Sequence, residues 1–186
     1  VNIARRISKL QNRKNDFGRS KVNDLISVRK YSESDLKDMI RIWNDVVIDG
    51  VAFPQTEPLS ADDGADFFAS QTYCGVAEKD GEVIGLYILH PNNVGRCGHI
   101  CNASYAVDKA VRSCGVGEKL VRDCMNEANK HGFRILQFNA VVRSNKAARH
   151  LYEKIGFTQL GVIKGGFKTD DNQYVDICPY YISVVK

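Results

Sequence analysis

From Leu25 onward, short apolar runs take turns with stripes at helical spacing. Leu25–Arg29 reads as a short strand, and Ser34 reads as an N-cap before Leu36, Met39, Ile40, Trp43, Val46 and Val47, a stripe with the helical period. Gly50, Pro54 and Pro58 break that helix, and Ser60 caps a second one that runs through Ser70. Tyr73–Ala77 and Val83–Leu89 flank Asp80-Gly81, the signature of a tight antiparallel hairpin. A polar loop from His90 to Gly98 leads to a strand over His99–Val107 and then to a helix carrying Leu120, Val121, Cys124, Met125 and Ala128 inward. Gly132 closes that helix, and Phe133–Val142 is apolar on both faces, as a covered central strand should be. A short helix from Asn145 to Gly156 follows, and Phe157–Ile163 and Tyr174–Val185 read as closing strands around a Gly165-Gly166 turn. The order β-α-α-β-β-β-α-β-α-β-β predicts an α/β chain with a mixed sheet and helices on both of its faces.

Composition narrows the function classes. Residues 1–24 carry seven Lys/Arg against Asp16 and Asp24, a net +5, whereas the whole chain is only +4, so residues 25–186 sum to −1. The expected organisation is a basic N-terminal extension, 1–24, and one domain, 25–186. The domain lacks the basic footprint of a nucleic-acid binder. No apolar run reaches the ~20 residues that span a bilayer, and no secretory signal is visible, which predicts a cytoplasmic chain without a membrane partner. The Arg- and Ser-bearing N-terminal stretch reads either as a solvated helix or as the remnant of a mitochondrial presequence. The six cysteines, scattered through apolar segments of a chain large enough to need no staples, read as reduced thiols.

The sharpest chemical signal is Arg112-Ser113-Cys114-Gly115-Val116-Gly117, set between a strand and a helix. Glycines there let successive backbone N–H groups converge on one anion, to which the helix N-terminus adds its partial positive charge. A P-loop would continue with Gly-Lys-Ser/Thr, but Glu118-Lys119-Leu120 follows, and a dinucleotide fingerprint would need a glycine at Leu120. Downstream, Asn145-x-x-Ala148-x-x-x-Tyr152-x-x-x-Gly156-Phe157 again opens a helix after a strand.

These paired motifs, in this element order, resemble the GNAT acetyltransferase superfamily. The resemblance implies a central, mostly antiparallel twisted sheet of about seven strands and acetyl-CoA as co-substrate. It also implies that Arg112, Ser113, Cys114, Gly115, Val116 and Gly117, with Glu118 starting the helix, hold the pyrophosphate through main-chain amides. Tyr105, Ala106 and Val107 would pair their backbone with the pantetheine arm, and the N–H of Ala106 or Val107 would polarise the thioester carbonyl. Asn139 and Asn145 would bond the cofactor where two strands splay. Asn145 has a second reading as a plain N-cap, whereas Asn139 shares a face with Phe133 and Ile135 in a strand expected to be buried. Tyr152 matches the family's general acid, a phenol that protonates the departing thiolate.

The base is less well marked. Many relatives offer a carboxylate on the strand equivalent to His99–Val107, yet this strand has none before Asp108. Water, His99 or a backbone carbonyl would have to take the ammonium proton. The run from His90 to Val107 also resembles yeast N-acetyltransferases of the proline analogue L-azetidine-2-carboxylate and their bacterial relatives. On that resemblance the acceptor is a small amino or imino acid, Asn102 orients it and Arg96 meets its carboxylate; Phe53, in the loop where the GNAT family builds its acceptor wall, would line that wall, whereas Trp43, in register with Met39 and Val47, reads as core. Acetylation of a protein N-terminus or lysine, and a silent acetyl-CoA-binding module, are the competing readings. Cys97, His99 and Cys101 alternate as ligands on one strand face would, but no second cluster completes a metal site, and none is expected. The aromatic strand 175–185, interrupted by Pro179, reads as an edge on which a homodimer could form.

Overall fold

The structure, a computed structural model, describes residues 25–112 and 114–185. The extension 1–24 and Ser113 lie outside the described residues. Strand β1 spans Ser27–Lys30, and helices α1 (Leu36–Asp49) and α2 (Ala61–Ala69) follow. Then come β2 (Tyr73–Lys79), β3 (Glu82–Pro91), β4 (Ile100–Val107), α3 (Val116–Lys130), β5 (Ile135–Val142) and α4 (Lys146–Ile155). The chain closes with β6 (Thr158–Gln159), β7 (Ile163–Lys168) and β8 (Tyr174–Ser183). The sheet runs β1-β2-β3-β4-β5-β8-β6, with β7 also on β8, and is antiparallel except between β4 and β5. Helices cover both faces, as the pattern implied. Leu120, Val121 and Cys124 of α3 pack with Leu136 and Phe138 on one face. Met39, Trp43 and Phe68 of α1 and α2 pack with Val76, Leu86 and Ile88 on the other. No helix among the described residues is long and apolar enough to cross a membrane.

The first helix begins differently from the Ser34 expectation. Glu33–Asp35 forms a 3-10 turn whose capping box joins Ser32 and Asp35, and the Ser32 N–H donates to the Asp35 carboxylate at 2.7 Å. Ser34 meets only the Ser32 hydroxyl. Asp35 is buried and also takes two bonds from the Arg29 guanidinium, at 2.6 and 3.0 Å. Those bonds, with the Ser32 donors, hold its carboxyl down at about 2 against an ordinary 3.8. A depressed carboxyl stabilises the fold above its unfolded pKa and loses that contribution as pH falls through the folded one. Asp35→Asn is therefore expected to cost about 2 kcal/mol at neutral pH, a difference from the native chain that disappears between pH ~4 and ~2 in urea denaturation.

The closing strands depart from the expected seven. Gly165-Gly166 does not reverse the chain: it sits inside β7, where the register with β8 breaks between Ile163 and Phe167, and Gly165 takes φ 62°. A left-handed glycine in a strand makes a bulge and not a turn. The reversal lies at Thr169–Gln173, closed by the Gln173 carbonyl accepting from Thr169 N–H at 2.9 Å. β7 is thereby an additional strand, and the sheet has eight.

β8 is not an edge. It pairs with β5 on one side and with β6 and β7 on the other, so it offers no free edge for a homodimer. Pro179 is tolerated because it falls at a bulge: Phe138 pairs with Tyr180 and Val141 with Cys178, which leaves Pro179 no ladder bond to donate. Its carbonyl accepts from Leu160 N–H at 2.9 Å.

Candidate active site

β4 and β5 pair only at Ile100/Ile135 and Cys101/Leu136 and then part. The ladder between β3 and β4 determines which peptide groups face that gap. Asn92 N–H donates to Ile100 C=O at 2.9 Å at one end, and Asp108 N–H donates to Ile84 C=O at 3.0 Å at the other. Antiparallel bonding alternates, so between them Asn102, Ser104 and Ala106 are committed to β3, while Cys101, Ala103, Tyr105 and Val107 turn towards β5. The Ala103 N–H is taken by the Asn102 side-chain oxygen at 2.7 Å. The peptide groups of Tyr105 and Val107 therefore face the gap with no strand opposite them. Ala106 is a correction: its N–H belongs to the β3 ladder and cannot serve as an oxyanion donor.

At the open end of the gap, Gly115 adopts φ 86° and starts α3 with no side-chain cap. The first helical bond there is Lys119 N–H to Gly115 C=O, which leaves the N–H groups of Val116, Gly117 and Glu118 outward. A glycine suits 115 because a φ of 86° lies in the left-handed region that L side chains rarely adopt. Such an end, at the head of fifteen aligned helical residues, can cradle an anion. Arg112 turns away from it and pairs with Asp49 at 3.2 Å, and Lys109 meets the same carboxylate at 2.9 Å. The Glu118 side chain is likewise occupied, by Lys154 and Arg122. Both residues border the cradle, which is built from main-chain groups, while their charges tie it to α1 and α4. Cys114 is half-buried beside it.

Tyr152 comes from α4, on the α3 side of the sheet. Its ring lies 4.5 Å from Phe138, 5.5 Å from Phe157 and 6.5 Å from Tyr105, centroid to centroid. Burial, with Cys124 and Tyr180 nearby, pushes its phenol well above the ordinary value, so it stays protonated. Asn145 caps α4, its side-chain oxygen accepting from Ala148 N–H at 3.1 Å, so only its amide nitrogen remains for a ligand. Cys101 is fully buried, donates to Ile135 C=O at 3.2 Å, and has its thiol pushed up to about 12 by burial.

The opposite face of the splay is polar. Even-numbered His90 and Asn92 on β3 and its continuation, Asn102 and Ser104 on β4, and odd-numbered Gln137 and Asn139 on β5 share it. Asn139 is exposed rather than buried, because α1 and α2 pack over β2–β4 and leave β5 open. Its partners are the Asn92 amide, reciprocally at 2.7 and 3.2 Å, and Gln137 at 2.9 Å. His90, Asn92 and Gln137 escaped the sequence reading, since only the register brings them beside Asn102 and Asn139. The α1–α2 loop and the β7–β8 turn meet each other. Asp170 of that turn lies where a Gly50 Cβ would stand.

The remaining candidates, Phe53, Arg96 and His99, lie outside the strands. Phe53 is 7% exposed and stacks on fully buried Trp43 at 4.3 Å, so both support the loop from within instead of walling an acceptor site. Arg96 and Cys97 are exposed in a 3-10 turn, Gly95–Cys97, at the tip between β3 and β4. His99 is exposed, in line with the odd-numbered residues of β4 and not with Asn102. Cys97 is exposed outside the strand whereas Cys101 is buried, and among the described residues no three His, Cys, Asp or Glu side chains are grouped as metal ligands.

A split between parallel strands, an anion cradle at its mouth and a phenol at its side define a site for an elongated, phosphate-bearing acyl carrier. The model of the acetyltransferase (GNAT) family matches residues 38–157, and the chain belongs to that family. The N-acetyltransferase aca1 of Schizosaccharomyces pombe is 34% identical over 99 residues, 53% of this chain and 47% of that protein, so the match spans about half of it. YwnH of Bacillus subtilis, which bears the provisional name of a phosphinothricin acetyltransferase, is 26% identical over 80% of this chain and 94% of its own. The phosphinothricin acetyltransferase of Sinorhizobium meliloti, solved with acetyl-CoA, shares the fold at a TM-score of 0.79, covering 86% and 88% of the two chains at 20% identity.

Proposed function

We propose that this protein transfers the acetyl group of acetyl-CoA directly to the amine of a small amino or imino acid. The observation that carries this reading is the gap itself: the unpaired peptide groups of Tyr105 and Val107 lead from the cradle at Gly115–Glu118 to the polar face at Asn102 and Asn139. An amide-bearing arm fits such an edge as an added strand would. The main-chain N–H groups of Val116, Gly117 and Glu118 bind the pyrophosphate, and Val107 N–H stabilises charge on the thioester oxygen. Asn102 and Asn139 orient the acceptor amine, and Tyr152 holds the proton that the sulfur needs on leaving.

Cys101 supports direct transfer over a covalent relay, since a buried thiol raised to about 12 is a poor nucleophile at neutral pH. Arg96, on its exposed tip, is the candidate partner for the acceptor carboxylate. Purified protein incubated with acetyl-CoA and a panel of cyclic imino acids, amino acids, polyamines and short peptides is expected to yield the acetylated imino acid by mass spectrometry. Product confined to the peptides would sink the small-acceptor assignment and leave acetyl transfer standing.

A further inference from the structure

We propose that His90 is the base that takes the proton from the acceptor ammonium. This rests on the acetyl-transfer reading above. The strands flanking the split carry no carboxylate beside Asn102: the polar positions there are Asn92, Asn102, Ser104, Gln137 and Asn139, none of which accepts a proton near neutrality. His90 is the cross-strand partner of Asn102 in the β3–β4 register, with side chains on the same face. Two residues along, Asn92 clasps Asn139, so His90 stands next to both amides that orient the acceptor. His99, the candidate from sequence, is exposed and out of phase with that face.

In the neutral ring, Nδ1, 3.0 Å from the Pro91 carbonyl oxygen, is the nitrogen placed to donate, which leaves Nε2 to accept a proton. The ring is half-buried, with Nδ1 against its own backbone. In the reaction, His90 Nε2 takes one proton from the ammonium and passes it to water. The freed lone pair forms the C–N bond, the C–S bond breaks, and the sulfur leaves with the Tyr152 proton. The second nitrogen proton restores Tyr152 through solvent, for a net release of one proton.

The test is His90→Gln, which keeps a polar side chain of similar reach, assayed on acceptors of graded basicity. A base matters in proportion to how fully the amine is protonated. The variant is therefore expected to lose ~10²-fold or more in kcat/KM on strongly basic acceptors and little on weakly basic ones, with acetyl-CoA affinity unchanged by calorimetry and partial rescue by added imidazole. Equal rates for variant and native chain on a strongly basic acceptor would overturn the role of His90 and leave the function standing. A loss that is the same for all acceptors, unrescued by imidazole, would overturn it in favour of a structural role. A native chain that binds acetyl-CoA but acetylates no amine would overturn both.

Discussion

Tyr152→Phe is expected to slow turnover ~10²–10⁴-fold while leaving acetyl-CoA affinity and fold stability nearly unchanged. The substitution removes one oxygen. The ring contacts with Phe138 and Phe157 persist, and no described residue makes a hydrogen bond to that hydroxyl, so no partner is left unsatisfied. What disappears is the hydroxyl of a phenol kept protonated by burial, the proton proposed above for the departing thiolate. Single-turnover rates and calorimetric titration separate the two quantities. An unchanged rate would mean that the sulfur takes its proton from water, and would leave Tyr152 as part of the aromatic cluster with Phe138, Phe157 and Tyr180.

The elements were legible in the sequence wherever periodicity was long or turn chemistry was local. Asp80 and Gly81 both take positive φ, as the hairpin reading required, and Ser60 accepts from Asp63 N–H at 3.1 Å, as an N-cap should. Gly165-Gly166 misled because two glycines permit a bulge as readily as a reversal, and only pairing with β8 chooses between them. Pro179 misled for a related reason. An edge is one place where a missing N–H goes unnoticed, but a bulge on the facing strand is another.

The site divided along the same line. The glycine-bearing loop and the helix from Asn145 to Gly156 are contiguous in sequence, so their chemistry could be read directly. Ala106 and Val107, in contrast, differ only in which way each peptide points, which follows from the β3–β4 register and from nothing in the residues themselves. The polar face is assembled from three strands whose phases are independent until they pair. His90 therefore read as loop, Asn92 had no visible partner, and Asn139 read as buried although no helix among the described residues covers β5 on that side.

Packing reaches function through Trp43, and Trp43→Ala is expected to destabilise the fold by ~3–5 kcal/mol, a large share of the ~5–15 that a domain of this kind commands. Trp43 is fully buried among Phe53, Phe67 and Phe68 at centroid distances of 4.3, 5.1 and 5.9 Å. Its indole N–H has no hydrogen-bond partner among the described residues, so the loss is one of packing and cavity formation. The consequence extends to the acceptor side because the α1–α2 loop is fastened twice. Asn44 bonds Leu59 through both its amide nitrogen and its oxygen at 2.8 Å, and Phe53 rests on Trp43. With Asn44 intact the far end of the loop stays fixed, while the Phe53 half loses its seat. The variant should therefore show a lower denaturation midpoint and a raised acceptor KM, with acetyl-CoA affinity little changed, since the cradle at Gly115 belongs to the opposite layer. Trp43→Phe, which keeps most of the aromatic contact, should recover the larger part of both. A raised KM without loss of stability would instead mean that Trp43 touches the acceptor directly.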